Sequence, residues 1–279
     1  PSGHDLNNDG TIGGPDDAYG FGEFPGQYGM VVYSKYPIDT DRVRTFQDFR
    51  WADMPGNRIP DDFYTDEERR DLRLSSKSHW DLPVQVGRKR VHFLVSHPTP
   101  PAFDGEEQRN VRRNADEIRF WADYVSSGRE ARYIYDDEGR RGGFARGESF
   151  VVAGDQNADP HDGDGWPGAI AQLLDHRRIN TSKTPTSRGA VEAGDVQGGA
   201  NDDHVGDPAE DTADFSEPPG NIRADYVLPS RDLPIRDARV FWPTSDHPLS
   251  RLTGEHPFPT SDHRLVWVDT TVGRGHGRG

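Results

Sequence analysis

Apolar and polar positions divide the chain into a few short strands, one strong helix and long polar stretches. Met30-Val31-Val32-Tyr33, lying between Gly29 and Pro37, predicts a first strand over 29–34. Val84 and Val86 alternate with polar neighbours, Gly87-Arg88 turns the chain, and Val91 to Val95 returns, which predicts a hairpin. Between Glu106 and Ser127, residues Val111, Ala115, Ile118, Trp121, Ala122 and Val125 recur at three- and four-residue steps, and Gly128 follows. That spacing predicts an amphipathic helix. Phe150 to Ala153 predicts a short buried strand running into Gly154-Asp155, residues 166–176 a short helix, and 224–228 and 265–268 two further strands. Residues 1–27 are mostly turn formers, 39–73 read as a polar excursion, and 181–220 as a long loop rich in Gly, Asp, Pro, Ser and Thr. A hairpin, a helix and then more strands, without repeat or linker, predict one α+β domain over 1–279, layered around paired sheets.

Composition tests that picture. Leu, Ile, Val and Phe make up about a fifth of the 279 residues and the formal net charge is -15, a balance bordering on disorder. Six Trp, nine Tyr and thirteen Phe tip it towards a folded chain, because large aromatics bury much area per residue. No apolar run reaches the length of a membrane-spanning helix, and residues 1–10 carry no signal-peptide pattern. The absence of Cys excludes disulfides, thiolate catalysis and Cys-bound zinc. The acidic balance disfavours an extended duplex nucleic acid, whose binding relies on many cationic phosphate contacts. Only four of the 33 basic residues are Lys, an arginine bias most simply read as codon usage.

The candidate chemistry gathers at strand ends. Ser96-His97 follows one strand, Gly154-Asp155-Gln156-Asn157 another, Asp225 opens a third and Ser261-Asp262-His263 precedes a fourth. Carboxylates bind a hard cation, the cation neutralises phosphate charge, and a His or Asp handles the proton of attacking water. A lone strand-end His is usually a structural hydrogen-bonder and Gly-Asp suits a turn, so only the joint order points to phosphoester hydrolysis.

His97 in VSHPTPP, GDQN at 154–157, RADYVL at 223–228 and SDHRLVWV at 261–268 together resemble the endonuclease/exonuclease/phosphatase superfamily. The resemblance spans about residues 28–270 and is nearest to bacterial secreted members with an SHPTPP segment. It implies a deoxyribonuclease-I-like fold, a four-layer α/β/β/α sandwich of two facing β-sheets, and a secreted or periplasmic location. By the same resemblance His263 acts at the scissile phosphate, oriented by Asp225. Asp155 positions or deprotonates water, Asn157 holds a phosphoryl oxygen, and His97 is a second histidine used in some branches as the acid. Asp262, with Asp155, is implied as a ligand of Mg2+ or Mn2+. Ser245-Asp246-His247 repeats the triplet, but no strand follows it, so His263 is preferred. Members of the superfamily begin with a strand ending in Asn and another carrying a metal-binding Glu. Here 27 turn-rich residues stand before Tyr28, so the chain is expected to lack its N-terminal strands, with a second chain as one way of supplying them.

Four further features remain. Asp5, Asn7, Asp9, the Thr11 carbonyl and Asp16, with Gly10 at the turn, have the spacing of a calcium loop, against the alternative of an Asp/Asn-rich turn. Lys77 and His79 are candidates for positive charge near a phosphate, or for a solvated strand edge. His204, Asp211 and Thr212 stand in the long loop before Asp225, as rim residues or plain solvated loop. Arg109, Arg112, Arg113 and Arg119 read as a solvated helix face. The combined expectation is a metal-dependent phosphoesterase acting on a phosphomonoester or phosphodiester. A nuclease of the same superfamily, or a non-catalytic, calcium-stabilised binding module derived from it, are the rivals.

Overall fold

A computed structural model describes residues 1–215 and 218–273. In chain order the strands and helices are β1 (Arg44–Thr45), α1 (Asp66–Asp71), β2 (His79–Val86), β3 (Lys89–Ser96), α2 (Arg109–Ser126), β4 (Ser149–Asp155), α3 (Ala171–Leu174), α4 (Arg188–Gln197), β5 (Ala213–Asp214), β6 (Asn221–Ile222), β7 (Asp225–Pro229), β8 (Ile235–Phe241), α5 (Ser250–Thr253) and β9 (Leu265–Thr270). The main sheet has the order β1-β2-β3-β4-β7, with β3 and β4 parallel and the other neighbours antiparallel. The parallel pair requires a crossover, and α2 supplies it.

Strand alternation gives this sheet two apolar faces. Leu94, Phe150, Val152, Tyr226 and Leu228 share the large core with Ile118, Trp121 and Val125 of α2. Their neighbours Val91 and Val151 pack on the other side with Leu233, Phe93, Ala153, Val227 and Val272. Aromatic residues compensate for the low aliphatic content: Phe46 meets Phe120, Trp121 and Tyr124 edge-on, at centroid separations of 5.1, 6.2 and 5.4 Å. β8 and β9 pair as a separate antiparallel sheet. Its register partners Val240 and Val266 pack with Ala190 and Ala193 of α4, whereas Leu265 on the opposite face is 66% exposed. The mixed α+β architecture with several sheets and covering helices is the expected one.

Four local expectations fail. Residues 29–34 form no strand, and Val31 and Tyr33 are 69% and 91% exposed. A strand needs a partner ladder, and backbone pairing begins only with Pro37–Asp39 against Pro83 and Gln85. The polar excursion over 39–73 contributes β1 and buried Phe46, Phe49, Trp51 and Met54 to the core. The long loop holds α4, capped by the Ser187 hydroxyl, which accepts from the Ala190 N–H. Gly189 and Gly194 hid this helix from the apolar pattern; a Cβ on Gly189 would sit 2.2 Å from the Trp242 carbonyl oxygen. The arginines of α2 are not a uniformly solvated row. Arg113 donates to the Leu74, Arg73 and Tyr19 carbonyls, and Arg112 lies over the Trp166 ring. Within the turn-rich N-terminal segment Leu6 reaches the core, while Phe21 and Phe24 stay exposed.

Candidate active site

The β4–β7 register builds the site. Asp155 at the end of β4 lies directly opposite Asp225 at the start of β7. Two like charges facing each other across strands destabilise a sheet, so their retention requires a compensating partner. That partner is His263, whose Nδ1 is 2.8 Å from Asp225 Oδ2 and whose Nε2 is 3.7 Å from Asp155 Oδ2. His97, just beyond β3, approaches from the neighbouring strand, with Nε2 3.3 Å from Asp155 Oδ2. These side chains are half-buried and reachable from solvent.

Close backbone approach permits this convergence. Gly154 has φ +138°, and a Cβ there would lie 2.1 Å from the Ser96 carbonyl oxygen. Glycine is therefore required for β3 and β4 to deliver His97 and Asp155 side by side. Asn157 adopts a left-handed φ of 49°. Its N–H donates to Asp155 Oδ1 at 2.8 Å, and its side-chain NH2 donates to the Pro98 carbonyl and to Asp155 Oδ2 at 3.1 and 3.2 Å. With both amide donor directions occupied, Asn157 orients Asp155 rather than presenting a free donor to phosphate, unlike the role implied by resemblance.

His263 is fixed by a second backbone pairing, since Asp214 N–H donates to the Asp262 carbonyl and Arg264 N–H to the Thr212 carbonyl. Arg264 lies over the Trp242 and Phe258 rings at 4.4 and 4.9 Å and pairs with Asp214 at 2.9 Å. Thr212 is a functional position that the sequence marked only as loop rim. Its hydroxyl donates to Asp225 Oδ2 at 2.9 Å and accepts from the Ala224 and Asp225 N–H groups. The same Asp225 oxygen thus holds both His263 and Thr212.

Electrostatics assign protonation states. Burial alone would lower the His263 pKa, but the hydrogen bond and charge of Asp225, with Asp155 and Asp262, raise it to about 9. Burial and the Asp225 charge raise Asp155 to about 7, against the lowering influence of His263, the Asn157 N–H and Lys77. His97 is driven down to about 3 by burial, Lys77 and His263. At neutral pH His263 is therefore the charged imidazole and His97 the neutral one, which argues against His97 as the proton donor. The Lys77 ammonium is itself depressed by burial, although Glu117 and Asp155 favour its charge. His79, by contrast, is buried between the Ser75 hydroxyl and the Glu117 carbonyl and faces no phosphate site.

One atom each of Asp155, Asp225 and His263 lies within 4.8 Å of the others. The two carboxylates suit a hard divalent cation, and the elevated Asp155 pKa marks negative charge left unbalanced. His263 is engaged as an imidazolium, so of the three Asp155 is the group that would serve as a metal donor. Asp262 is exposed and outside this group; its carboxylate raises the His263 pKa from the rim. The decoy His247 hydrogen-bonds locally to Thr244 and Leu249 and does not enter the site.

In the N-terminal loop, the Asp5 carboxylate accepts from the Asp9 and Gly10 N–H groups, and Asp9 accepts from Thr11. The Asn7 side chain bonds to Asp9, with its Oδ1 accepting the Asp9 N–H, while the Asn7 backbone N–H bonds to Asp17. Asp16, expected to close the loop, reaches Arg109 instead at 3.6 Å. Asp17 takes the inner place: it is buried and accepts from the Leu6, Gly13 and Gly14 N–H groups. Those bonds overcome the upward effect of burial and hold its pKa below the ordinary value.

The chain belongs to the endonuclease/exonuclease/phosphatase family, whose model matches residues 2–263. No curated protein sequence matches it. Among solved structures, an endonuclease/exonuclease/phosphatase from Beutenbergia cavernae is 17% identical with TM-score 0.47, covering 86% of this chain and 46% of its own. Sphingomyelinase C from Streptomyces griseocarneus is 15% identical with TM-score 0.39, covering 85% and 62%. A 3′ phosphatase from Neisseria, bound to a product DNA hairpin, is 14% identical with TM-score 0.39, covering 86% and 73%. The chain spans about half the length of the first of these.

Proposed function

We propose that this chain carries the catalytic site of a divalent-metal-dependent phosphoesterase that hydrolyses a small phosphomonoester or phosphodiester. The carrying observation is the Asp225–His263–Asp155 array, in which an imidazolium and a carboxylate with a pKa near 7 face the same space. Asp155 accepts the proton of water attacking phosphorus in line, and His263 stabilises the charge developing on phosphoryl oxygen or protonates the leaving oxygen. Lys77 and neutral His97 complete the polar wall. Bound Mg2+ or Mn2+ would neutralise phosphate charge and would be held first by Asp155, with the exposed Asp262 as a second candidate carboxylate. The formal charge of -15 favours a small substrate over duplex DNA.

The test is hydrolysis of p-nitrophenyl phosphate, bis-p-nitrophenyl phosphate and duplex DNA with magnesium, before and after chelation. Activity on a small ester should fall about 10²-fold or more in His263→Ala and persist in His247→Ala. Cleavage confined to duplex DNA would identify a nuclease. Loss with His247→Ala, or inactivity on every substrate and metal, would overturn the assignment, the latter in favour of a calcium-stabilised binding module.

A further inference from the structure

Four neighbouring strands of the main sheet bring their site residues to one end. Lys77 stands two residues before His79, the first of β2; His79 pairs with Ser96, the last of β3, and His97 follows. Val95 of β3 pairs in parallel with Ala153 of β4, so His97 and Asp155 run forward together, and Asp155 pairs with Asp225 of β7. Lys77 and the His263 held by Asp225 therefore flank Asp155 from opposite sides of the strand order. The two cations differ in their partners. His263 is bound to Asp225, whereas among the described residues the Lys77 ammonium donates no hydrogen bond and joins no ion pair. The carboxylates whose charge reaches it are already engaged. Glu117 accepts from the Ser76 and Thr99 N–H groups, and Asp155 accepts from Asn157 with both histidines beside it. Lys77 is nonetheless only partly exposed, so it is not a solvated edge lysine. An ammonium withdrawn from water without an anion is costly, and an incoming anion would balance it.

Resting on the phosphoesterase reading above, we propose that Lys77 binds a terminal phosphoryl oxygen across Asp155 from His263 and thereby selects a phosphomonoester over a phosphodiester. A phosphomonoester near neutral pH carries about -1.5 to -2 charges on three terminal oxygens. A diester keeps a single charge and two such oxygens. The charge of His263 is partly met by Asp225 and Asp155, so it serves one phosphoryl oxygen, and the second charge of a monoester needs another cation. Lys77 is that cation. It faces the site, since its charge lowers the pKa of both His97 and Asp155. Arg113, whose charge also reaches Lys77, is occupied by the Leu74, Arg73 and Tyr19 carbonyls. Burial lowers the Lys77 pKa from its ordinary value, and a phosphate dianion beside it would push the other way. As a compact point charge on a flexible stem, lysine can follow a terminal oxygen without the fixed fork of an arginine.

Isothermal titration calorimetry of the whole chain with methyl phosphate and dimethyl phosphate, in magnesium at about pH 7.5, separates the two classes without requiring turnover. Lys77→Met should weaken methyl phosphate about tenfold or more and dimethyl phosphate by less than about twofold. Lys77→Arg should restore most of the methyl phosphate affinity. A second measurement uses the parent alone and so covers a Lys77→Met chain that does not fold. Methyl phosphate should protect Lys77, one of only four lysines, from acetylation by acetic anhydride, read by peptide mass spectrometry, and leave the exposed Lys35 unprotected. Unchanged methyl phosphate affinity in Lys77→Met, equal losses for both ligands, or no methyl phosphate binding by the parent would each overturn the inference. Acetylation of Lys77 indifferent to methyl phosphate would do the same. Methyl phosphate held at Lys77 by a chain that hydrolyses no ester would sink the hydrolase reading and uphold the Lys77 contact. Monoester hydrolysis lost in His263→Ala yet unchanged in Lys77→Met would sink the Lys77 contact alone.

Discussion

Asp225→Asn separates charge from shape at the centre of the site. The amide can still accept from His263 Nδ1, now 2.8 Å from Asp225 Oδ2, but no longer carries the charge that makes His263 basic. In the parent, His263 stands at about 9 against an ordinary 6.5, a difference worth about 3 kcal/mol. Without that charge, burial is opposed only by Asp155 and Asp262, so the pKa should fall by about 2 or more. At pH 7 the imidazolium would drop from nearly full occupancy to about a half or less. NMR titration of the ring would read the shift directly. The pH profile of kcat/KM is expected to have its alkaline limb at about 9 in the parent, and in the variant that limb should move down by about 2 or more. Stability should respond as well. Because the folded-state His263 pKa is the higher one, its contribution is complete below pH 6.5 and is lost as pH rises through 9. The variant should lack that loss, and its activity at pH 7 should fall about twofold or more, in step with the imidazolium fraction. A His263 that titrates within about half a unit of the parent in Asp225→Asn would refute the electrostatic account.

Two other substitutions test the scaffold behind the site. Gly154→Ala combines a φ of +138° with a Cβ 2.1 Å from the Ser96 carbonyl, so urea denaturation should show a loss of about 3 kcal/mol or more. A variant as stable as the parent would mean that β3 and β4 do not approach so closely. Glu117 is fully buried and accepts from the Ser76 and Thr99 N–H groups, so Glu117→Ala should cost about 3 kcal/mol by leaving both donors unpaired. Circular dichroism melting that is unchanged in this variant would show that water replaces the carboxylate.

Strong periodicity was legible where one element had one polar and one apolar side. The hairpin β2–β3, the helix α2 and the strands β4, β7 and β9 follow from their patterns. The helix α4 and the strand β8 did not, because glycines placed for close packing and charged positions on an exposed face erase the period. Residues 29–34 failed in the opposite direction: their β-forming side chains describe a preference, and a strand exists only when another backbone pairs with it. In the N-terminal loop, spacing indicated an acid near the end of the motif, but adjacent Asp16 and Asp17 turn to different partners.

The sequence alone singled out the residues of the candidate site: His97, Asp155, Asn157, Asp225 and His263 each stand near a strand end, where rigid backbone meets solvent. It also separated His263 from His247, since only the former leads into a strand. The tertiary structure decided what each residue is. Antiparallel register sets Asp155 against Asp225, whose charges raise His263, while burial, Lys77 and His263 hold His97 neutral. The same folding brings Thr212 and Lys77 to the site and turns both Asn157 donors inward. Those properties depend on distance, burial and the field of neighbouring charges, which arise only after remote segments have met.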